Sequence, residues 1–501
     1  MPHLLSLLIW LPICAGGLVL LSGERNPNTA RLLALGTTIV TLLLCIPLVT
    51  HFDPATSNMQ FLEHHRWLPE VGINYDLGVD GISMPLIVLS SFITLVVIFA
   101  TWRSVTTRVN QYMAAFVIMQ GILVGVFSSL DSILFYVFWE ASLVPMYLII
   151  GIWGSENRVY AAIKFFLFTF LGSVLMLISL IYLGLKAGDF SLASFYEVKL
   201  TQDSQNLIFW AFFLAFAIKV PMWPVHTWLP DAHTEAPAGG SVVLAAILLK
   251  LGAYGFLRFS LPIVPDACKS MADIMILLSL VAIIYIGFVA IVQRDMKKLI
   301  AYSSISHMGF VTLGTFAIYK IVANTGNIND AALILEGALV IVISHAFVSG
   351  AMFAGVGFIY DRMHTRLIKD FGGVVNTMPM FASFLMLFAM ANAGLPGTSG
   401  FVGEFMVILG AFKAGFWIAF FAGFTLILGA AYTLWMYKRV IFGVVANAQV
   451  ATLTDLKGFE ILAFTLLAAM VMILGVYPAP LLKVFHQSVN HLLILANITK
   501  L

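Results

Sequence analysis

Residues 239–259, GGSVVLAAILLKLGAYGFLRF, decide the fold class of this chain. The stretch is apolar and about as long as a helix that crosses the hydrocarbon core of a bilayer, which needs roughly 20 residues. Lys250 lies near its middle, roughly 15 Å of helix from either end at a rise of about 1.5 Å per residue. A lysine side chain cannot reach that far by snorkelling. Its ammonium group must therefore find a partner or water inside the protein.

The remainder of the chain has the same apolar character. Of its 501 residues, 61% are hydrophobic and only 10% are charged, and long apolar runs recur from end to end. Such a composition is typical of helices that cross a bilayer, where every backbone polar group must be satisfied within the helix. We therefore predict an all-α polytopic membrane protein that forms one transmembrane domain over residues 1–501. The net charge of +2 does not indicate a nucleic-acid partner.

Hydrophobicity predicts 14 transmembrane helices. They are expected near residues 3–22, 31–50, 82–101, 112–130, 133–151, 163–185, 207–229, 240–259, 272–292, 298–318, 333–359, 380–412, 416–437 and 461–478. Fifteen of the 26 lysines and arginines follow odd-numbered helices, nine lie on the other side and two lie within helices. By the positive-inside rule the side with fifteen is cytoplasmic. Because the number of helices is even, both termini are then predicted to be periplasmic.

Two of the predicted helices contain helix breakers. The seventh has Pro221, Pro224 and Pro230 after Lys219, and the twelfth has NAGLPGTSG before Glu404. Broken backbone at membrane depth must be buried in protein or line a wet cavity. Breaks at corresponding places in two halves are typical of inverted-repeat transporters.

The two breaks lie five helices apart, and an odd offset inserts the second unit upside down relative to the first. We predict two inverted five-helix repeats, residues 112–259 (helices 4–8) and residues 272–442 (helices 9–13). Helices 1–3 precede them in residues 1–111, and helix 14 and a tail follow in residues 461–501. Two unrelated proline kinks are the alternative.

Four ionisable side chains lie inside apolar helices, namely Glu140, Lys219, Lys250 and Glu404. Each such charge costs about 2.5 to 3.5 kcal/mol near the bilayer centre, so the four together cost on the order of 10 kcal/mol. A nearby opposite charge favours the ionised form of each group, and separation of such a pair favours proton release from the lysine. We predict that the four bind and release protons, with Glu140 as the candidate partner of Lys219. Static ion pairs that only fix helix packing are the alternative.

Two histidines add titratable groups to the same region. His307 and His345 lie in the tenth and eleventh predicted helices, where they could relay protons along a wet path. Hydrogen-bonded packing roles are the alternative for both. Cys14, Cys45 and Cys268 lack metal-ligand spacing, and no glycine-rich nucleotide-binding fingerprint follows a strand. We therefore expect no cofactor on this chain.

Several stretches resemble one known family closely. They are YDLGVDGIS (75–83), FWEASLVPMYLIIGIWG (138–154), KVPMWPVHTWLPDAHTEAPAGGSVVLAAILLKLGAYG (219–255), AYSSISHMGF (301–310) and NAGLPGTSGFVGEF (392–405). They are similar to the subunit M family of bacterial NADH:quinone oxidoreductase (respiratory complex I), which is related to mitochondrial subunit 4. The resemblance covers nearly the whole chain.

This resemblance implies an antiporter-like subunit of the membrane arm in the bacterial inner membrane. It assigns proton translocation to Glu140, Lys219, Lys250 and Glu404, and it matches His307 to the family's histidine in helix 10. It places NADH, FMN, iron–sulfur clusters and quinone on partner subunits. The expected neighbours are the other membrane-arm subunits, above all the sister antiporter-like subunits, and the lipid bilayer.

Two rival functions remain open at this point. A subunit of a multisubunit cation/proton antiporter or of a membrane-bound hydrogenase would share the fold and most buried charges. Glu404 and the YDLGVDGIS entry to the third helix favour complex I. A passive scaffold, whose charges only hold helices together, is the rival from a different class.

Overall fold

The computed structural model describes residues 3–501, which form long helices and one β-hairpin. The long helices are α1 Leu4–Leu21, α2 Pro27–Thr50, α3 Ser83–Ala100, α4 Val109–Ser128, α5 Ser132–Trp153, α6 Arg158–Ala187, α7a Gln202–Lys219, α7b Trp228–Glu235, α8 Ala238–Ile263, α9 Ala272–Ile291, α10 Met296–Phe316, α11 Ala332–Met363, α12a Pro379–Asn392, α12b Ser399–Ala414, α13 Phe416–Ile441, α14 Phe459–Val476 and α15 Ala479–Asn497. Short helices lie in connections at Leu192–Glu197, Pro265–Ser270, Ile318–Thr325 and Ala448–Ala451.

Twelve helices in the described residues are long and apolar enough to cross a membrane. They are all the helices from α1 to α14 except α7 and α12, each of which is broken into two shorter pieces. The prediction of an all-α multi-pass membrane protein is therefore confirmed. The total of 14 stays a prediction, because it counts both broken helices as spanning.

The break in α7 follows directly from its prolines. α7a ends at Lys219, and Pro221 lacks the N–H that would continue the helical ladder. The freed carbonyl of Ile218 accepts a hydrogen bond from Nε1 of Trp228, the first residue of α7b, at 2.9 Å. The indole thus satisfies a buried backbone group at the break.

The break in α12 depends on glycine instead. Residues 393–398 separate the two halves, and Gly394 and Gly397 have φ values of +75° and +90°. These left-handed conformations strain any residue with a Cβ atom. The chain leaves α12a and enters α12b through them, and Leu395, Pro396 and Gly397 within this connection are exposed.

The segment between α2 and α3 forms a β-hairpin, which the hydrophobicity pattern did not predict. Strands β1 (Gln60–Leu68) and β2 (Ile73–Val79) pair antiparallel, with His65 opposite Tyr75. The carboxylate of Glu63 accepts a hydrogen bond from the backbone N–H of Leu5 at 2.7 Å, so the hairpin caps the N-terminus of α1. A carboxylate at this position also interacts favourably with the helix dipole.

Two aspartates begin helices in the same way, five helices apart. Asp131 accepts the first free N–H groups of α5, and Asp295 accepts those of α10. Each aspartate also forms an isolated antiparallel bridge to a later connection, Asp131 with Ser191 before α7 and Asp295 with Leu367 before α12. The aspartate cap and its bridge thus occur twice, five helices apart, and the two helix breaks are separated by the same five helices.

Candidate functional site

A row of polar side chains crosses the buried centre of the molecule, from α8 through α11 and α10 to α12b. Nζ of Lys250 lies 2.7 Å from Nδ1 of His345, and Nδ1 of His307 lies 3.0 Å from Oε1 of Glu404. The two imidazole rings are 5.7 Å apart between centroids. Four residues that are separated by up to 154 positions in sequence therefore form one hydrogen-bonded pair and one ion-pair contact side by side.

Lys250 has no exposed surface, so its ammonium group depends on protein partners. Besides His345, it donates to the backbone carbonyl of Ala245 at 2.5 Å. The carbonyl belongs to a π-helical turn, Leu244–Leu248, that precedes the lysine in α8. Such turns inside helices occur frequently at functional sites. A second π-helical turn follows at Phe256–Ser260, so irregular backbone flanks Lys250 on both sides.

A small cavity separates the two pairs. It has a volume of about 10 Å³ and is lined by His307, His345, Glu404 and Asn392 among others. This is about the space that one water molecule needs. Nε2 of each histidine has no hydrogen-bond partner in the described residues. A single water in the cavity would meet polar atoms of both pairs.

Glu404 is 3% exposed and packs against the break in α12. A Cβ atom on Gly394 would lie 2.7 Å from Oε2 of Glu404, so the glycine lets the backbone approach the carboxylate. Asn392, the last residue of α12a, donates hydrogen bonds to Ser303 at 3.1 Å and to Thr433 at 2.8 Å. Hydrogen bonds to α10 and α13 therefore fix the end of α12a next to the Glu404 carboxylate.

Lys219 and Glu140 lie near each other without an ion pair. Nζ of Lys219 is buried and has no hydrogen-bond partner, and it lies 5.3 Å from the Trp139 ring and 5.8 Å from the Phe165 ring. Cation–π attraction therefore stabilises its charge in place of a carboxylate. Glu140 is half-buried, and one of its oxygens has no partner. The two charges act on each other electrostatically but form no ion pair within 4.0 Å.

His233 in α7b was not predicted from the sequence. Its side chain is completely buried, neither ring nitrogen has a partner in the described residues, and the ring stacks on Phe353 at 4.3 Å. Lys250 and Lys297 both act on it electrostatically. The histidine lies in WLPDAHTEAP, where neighbouring polar residues hide it from any hydrophobicity pattern.

A network of charged side chains lies at one end of the helix bundle. Arg366 donates to Asp295 at 2.6 Å, to Glu235 at 3.3 Å and to Ser155 at 3.1 Å. Nζ of Lys297 donates to the carbonyl of Ala236 at 2.6 Å. A cavity of about 310 Å³ lies beside this network. The loops before α6, α8, α10 and α12 are thereby joined on one side of the molecule.

A buried ion pair lies at the opposite end of the helix bundle from the Arg366 network. Arg258, near the end of α8, lies 2.7 Å from Asp80, which precedes α3. Burial alone would raise the pKa of the Asp80 carboxyl, but Arg258 and the hydrogen bonds from Ser83 hold it below its usual range. The pair borders a cavity of about 270 Å³ that is also lined by residues 57–59 and by α15.

Comparison with known proteins identifies the family. Residues 30–128 match the amino terminus of NADH-ubiquinone oxidoreductase chain 4, and residues 129–429 match the transmembrane family of NADH:quinone oxidoreductases and Mrp antiporters. NADH-quinone oxidoreductase subunit M of Rhodobacter capsulatus is 48% identical over 98% of this chain and 96% of its own length. The chain belongs to the subunit M family. It is thus an antiporter-like membrane subunit of an NADH-quinone oxidoreductase, a multisubunit complex.

Solved structures agree with this assignment of the subunit M chain. A chain of respiratory complex I from Thermus thermophilus has a TM-score of 0.89 and 28% identity, with 99% of this chain and 100% of that chain covered. Chains of an archaeal sulfane sulfur reductase and of an Mrp complex from Dietzia share the fold, each with a TM-score of 0.81, at 23% and 20% identity. The complex I assignment is therefore favoured over the rival antiporter.

The subunit M fold brings together four of the six predicted site residues. Lys250, His345, His307 and Glu404 are joined through contacts and one small cavity. Glu140 and Lys219 form a separate, looser pair. The described residues contain no group of three or more side chains that could hold a metal ion.

Proposed function

We propose that this chain moves protons along Lys250, His345, His307 and Glu404, under the control of Glu140 and Lys219. The observation that carries the proposal is the pair of buried contacts, 2.7 Å and 3.0 Å long, on either side of a cavity for one water. Every group in this row can hold or release a proton. Groups that share a proton must lie within hydrogen-bond reach or be joined by water, and this row meets that requirement.

The loose Glu140 and Lys219 pair suits a controlling role. At an effective dielectric constant of about 20, an increase in the distance between two unit charges from about 5 Å to about 10 Å weakens their Coulomb energy by about 1.7 kcal/mol. This corresponds to a more than tenfold change in the proton affinity of Lys219. Lys219 has no hydrogen-bond acceptor, so a movement of α5 against α7a would change its charge state through the distance to Glu140.

We further propose that α4–α8 and α9–α13 are inverted repeats, residues 112–259 and 272–442. The matching helix caps at Asp131 and Asp295 support this, as do the breaks after Lys219 and Asn392. With the basic side in the cytoplasm, both termini lie in the periplasm of a bacterial inner membrane. Labelling of single cysteines at position 24 and position 501 with an impermeant reagent tests this orientation.

The remaining components of the reaction are proposed to lie on other subunits. FMN, iron–sulfur clusters, NADH and quinone would act there, and the sister antiporter-like subunits would flank this chain. Export of one proton costs about 2.3 kcal/mol per 100 mV of membrane potential, and that energy has to come from the neighbours. The chain alone is therefore expected not to pump.

NADH-driven acidification of proteoliposomes that contain the whole complex tests the pathway. We expect Glu140→Gln and Lys219→Ala to reduce pumping at least tenfold, and Glu140→Asp to retain part of it. Assembly is checked by flavin content and subunit composition. Normal pumping by an assembled Lys219→Ala complex would support the scaffold alternative and refute the pathway.

A further inference from the structure

A cavity of about 690 Å³ lies outside the proposed proton pathway. It opens at the ends of α9 and α13, beside the connection between α11 and α12. Its walls contain the basic side chains Arg294, Lys369 and Arg439 and the apolar residues Val292, Leu367 and Trp435, and no acidic residue lines it.

The three basic side chains have no counter-ion. None of them forms an ion pair within residues 3–501. The nearest acidic neighbours in sequence are already engaged, because Asp295 pairs with Arg366 at 2.6 Å and Asp370 accepts from Thr365 at 2.6 Å. Three cations around one cavity repel one another, so the cavity favours an anionic occupant.

The backbone holds the walls of the cavity in place. The N–H of Ile368 donates to the carbonyl of Arg294 at 2.9 Å, and the N–H of Gly373 donates to the carbonyl of Phe442 at 3.0 Å. These bonds tie the α11–α12 connection to the ends of both α9 and α13. The backbone that carries the three basic residues is therefore fixed before any ligand binds, which lowers the entropic cost of binding.

The apolar part of the cavity faces the surroundings of the helices. Val292 is 71% exposed and Trp435 is 58% exposed. Trp435 precedes Arg439 by four residues and so lies one turn deeper on the same face of α13. Tryptophan at this level is typical of the interface between hydrocarbon and head groups. The cavity thus presents cations at head-group depth and apolar surface one turn below.

We propose that this cavity binds an anionic phospholipid, with the phosphate between Arg294, Lys369 and Arg439 and an acyl chain along Val292 and Trp435. The three cations match the charge of the head group, and the exposed apolar residues match the acyl chain. A free phosphate ion would use only the first of these features. This inference does not depend on the proposed proton pathway.

Photolabelling of the delipidated, detergent-purified complex tests the proposal. The probe is phosphatidylglycerol with a photoactivatable group on one acyl chain, and labelled peptides are identified by mass spectrometry. Labelling is expected at Val292 or Trp435. One basic residue near an anionic lipid contributes about fivefold in affinity, so the triple variant Arg294→Gln, Lys369→Gln, Arg439→Gln should raise the half-saturating concentration about a hundredfold.

A matched variant controls for net charge. Arg25→Gln, Lys298→Gln, Lys438→Gln removes the same three charges from positions that do not line the cavity, and its labelling should equal that of the unmodified complex. Flavin content and NADH-driven pumping report whether each complex is assembled.

Three results would overturn the proposal. Equal labelling by a phosphatidylcholine probe would show that charge plays no part. Displacement of the probe by millimolar inorganic phosphate would assign the site to the free ion. Absence of label in the assembled complex, together with cross-links from Trp435 to another subunit, would make the cavity a protein interface.

Discussion

His345 joins the two ends of the buried row, because one side of its ring contacts Lys250 and the other borders the cavity next to His307 and Glu404. Its Nδ1 also lies 3.3 Å from the Ser349 hydroxyl, which donates to the backbone carbonyl of His345 at 2.7 Å. The ring orientation is therefore set by two contacts, of which only that with Lys250 belongs to the row.

Substitution of His345 distinguishes a proton relay from a packing residue. His345→Gln retains an acceptor for Lys250 but cannot take up and release a proton, whereas His345→Leu loses both properties. We expect both variants to reduce NADH-driven pumping at least tenfold, and Ser349→Ala to stay within twofold. Full pumping by the glutamine variant would assign His345 to packing.

Gly394 fixes the position of Glu404, and a comparison of two glycines tests this. Gly394→Ala and Gly397→Ala both force alanine into a left-handed conformation, which costs about 1 to 2 kcal/mol. Only the Cβ atom at Gly394 meets the carboxylate, whereas that at Gly397 meets open space. We expect Gly394→Ala to reduce pumping several-fold more than Gly397→Ala at equal assembly. Equal loss in both would mean that strain alone matters.

At the scale of elements, aspartates determine where α5 and α10 begin. Asp131 accepts N–H groups from Ile133 and Leu134 at 2.9 Å and 3.1 Å, and it also accepts from Asn74 in β2. The cap therefore joins a helix to the hairpin. Asp295 differs, because its second oxygen pairs with Arg366.

This difference predicts that two amide variants change the unfolding temperature at pH 7 in opposite directions. Burial raises the pKa of Asp131 from 3.8 to about 6, so the folded state binds the proton more tightly than the unfolded chain. Its contribution to stability therefore falls as pH rises from 3.8 to 6, and the loss is complete above pH 6. Asp131→Asn keeps an acceptor and should match the unmodified complex at pH 4 but unfold at a higher temperature at pH 7.

Asp295→Asn is the control in the same thermal unfolding measurements. It removes the carboxylate that pairs with Arg366, so we expect a lower unfolding temperature at pH 7. A lower unfolding temperature for both variants at pH 7 would contradict the role of burial at Asp131.

At the scale of the whole molecule, two of the polar contacts that join the two proposed five-helix units lie in different places. One is the bond from Lys250 in α8 to His345 in α11, and the other is the fork of Arg366 between Asp295 and Glu235. The first lies in the buried centre and the second on one face. A relative movement of the units would therefore change the row and the surface network together.

Arg366→Lys tests the second contact. A lysine retains the charge but cannot span both carboxylates as a guanidinium does. Loss of one hydrogen bond to a charged group costs about 2 kcal/mol. We expect a lower unfolding temperature of the assembled complex, and no change for Arg25→Lys, whose side chain is exposed. An unchanged unfolding temperature in Arg366→Lys would show that the fork does not hold the units together.

Much of the architecture was predictable because its causes are local in sequence. Apolar length predicts a membrane helix, and Pro221 and Gly394 interrupt helices through their own backbone chemistry. The hairpin at residues 60–79 was not predictable from hydrophobicity, since its polar residues resemble those of a loop. His233 was missed for the same reason.

The sequence by itself determined the membrane class, the helix breaks after Lys219 and before Glu404, and the family. It also indicated that Lys219, Lys250 and Glu404 are buried, because charged side chains in apolar helices are too costly to leave in contact with lipid. Only the tertiary structure decided which of these groups touch. Lys250 and His345 are 95 residues apart, and Glu140 remains without an ion pair to Lys219, because such contacts depend on how whole helices pack rather than on the sequence around each residue.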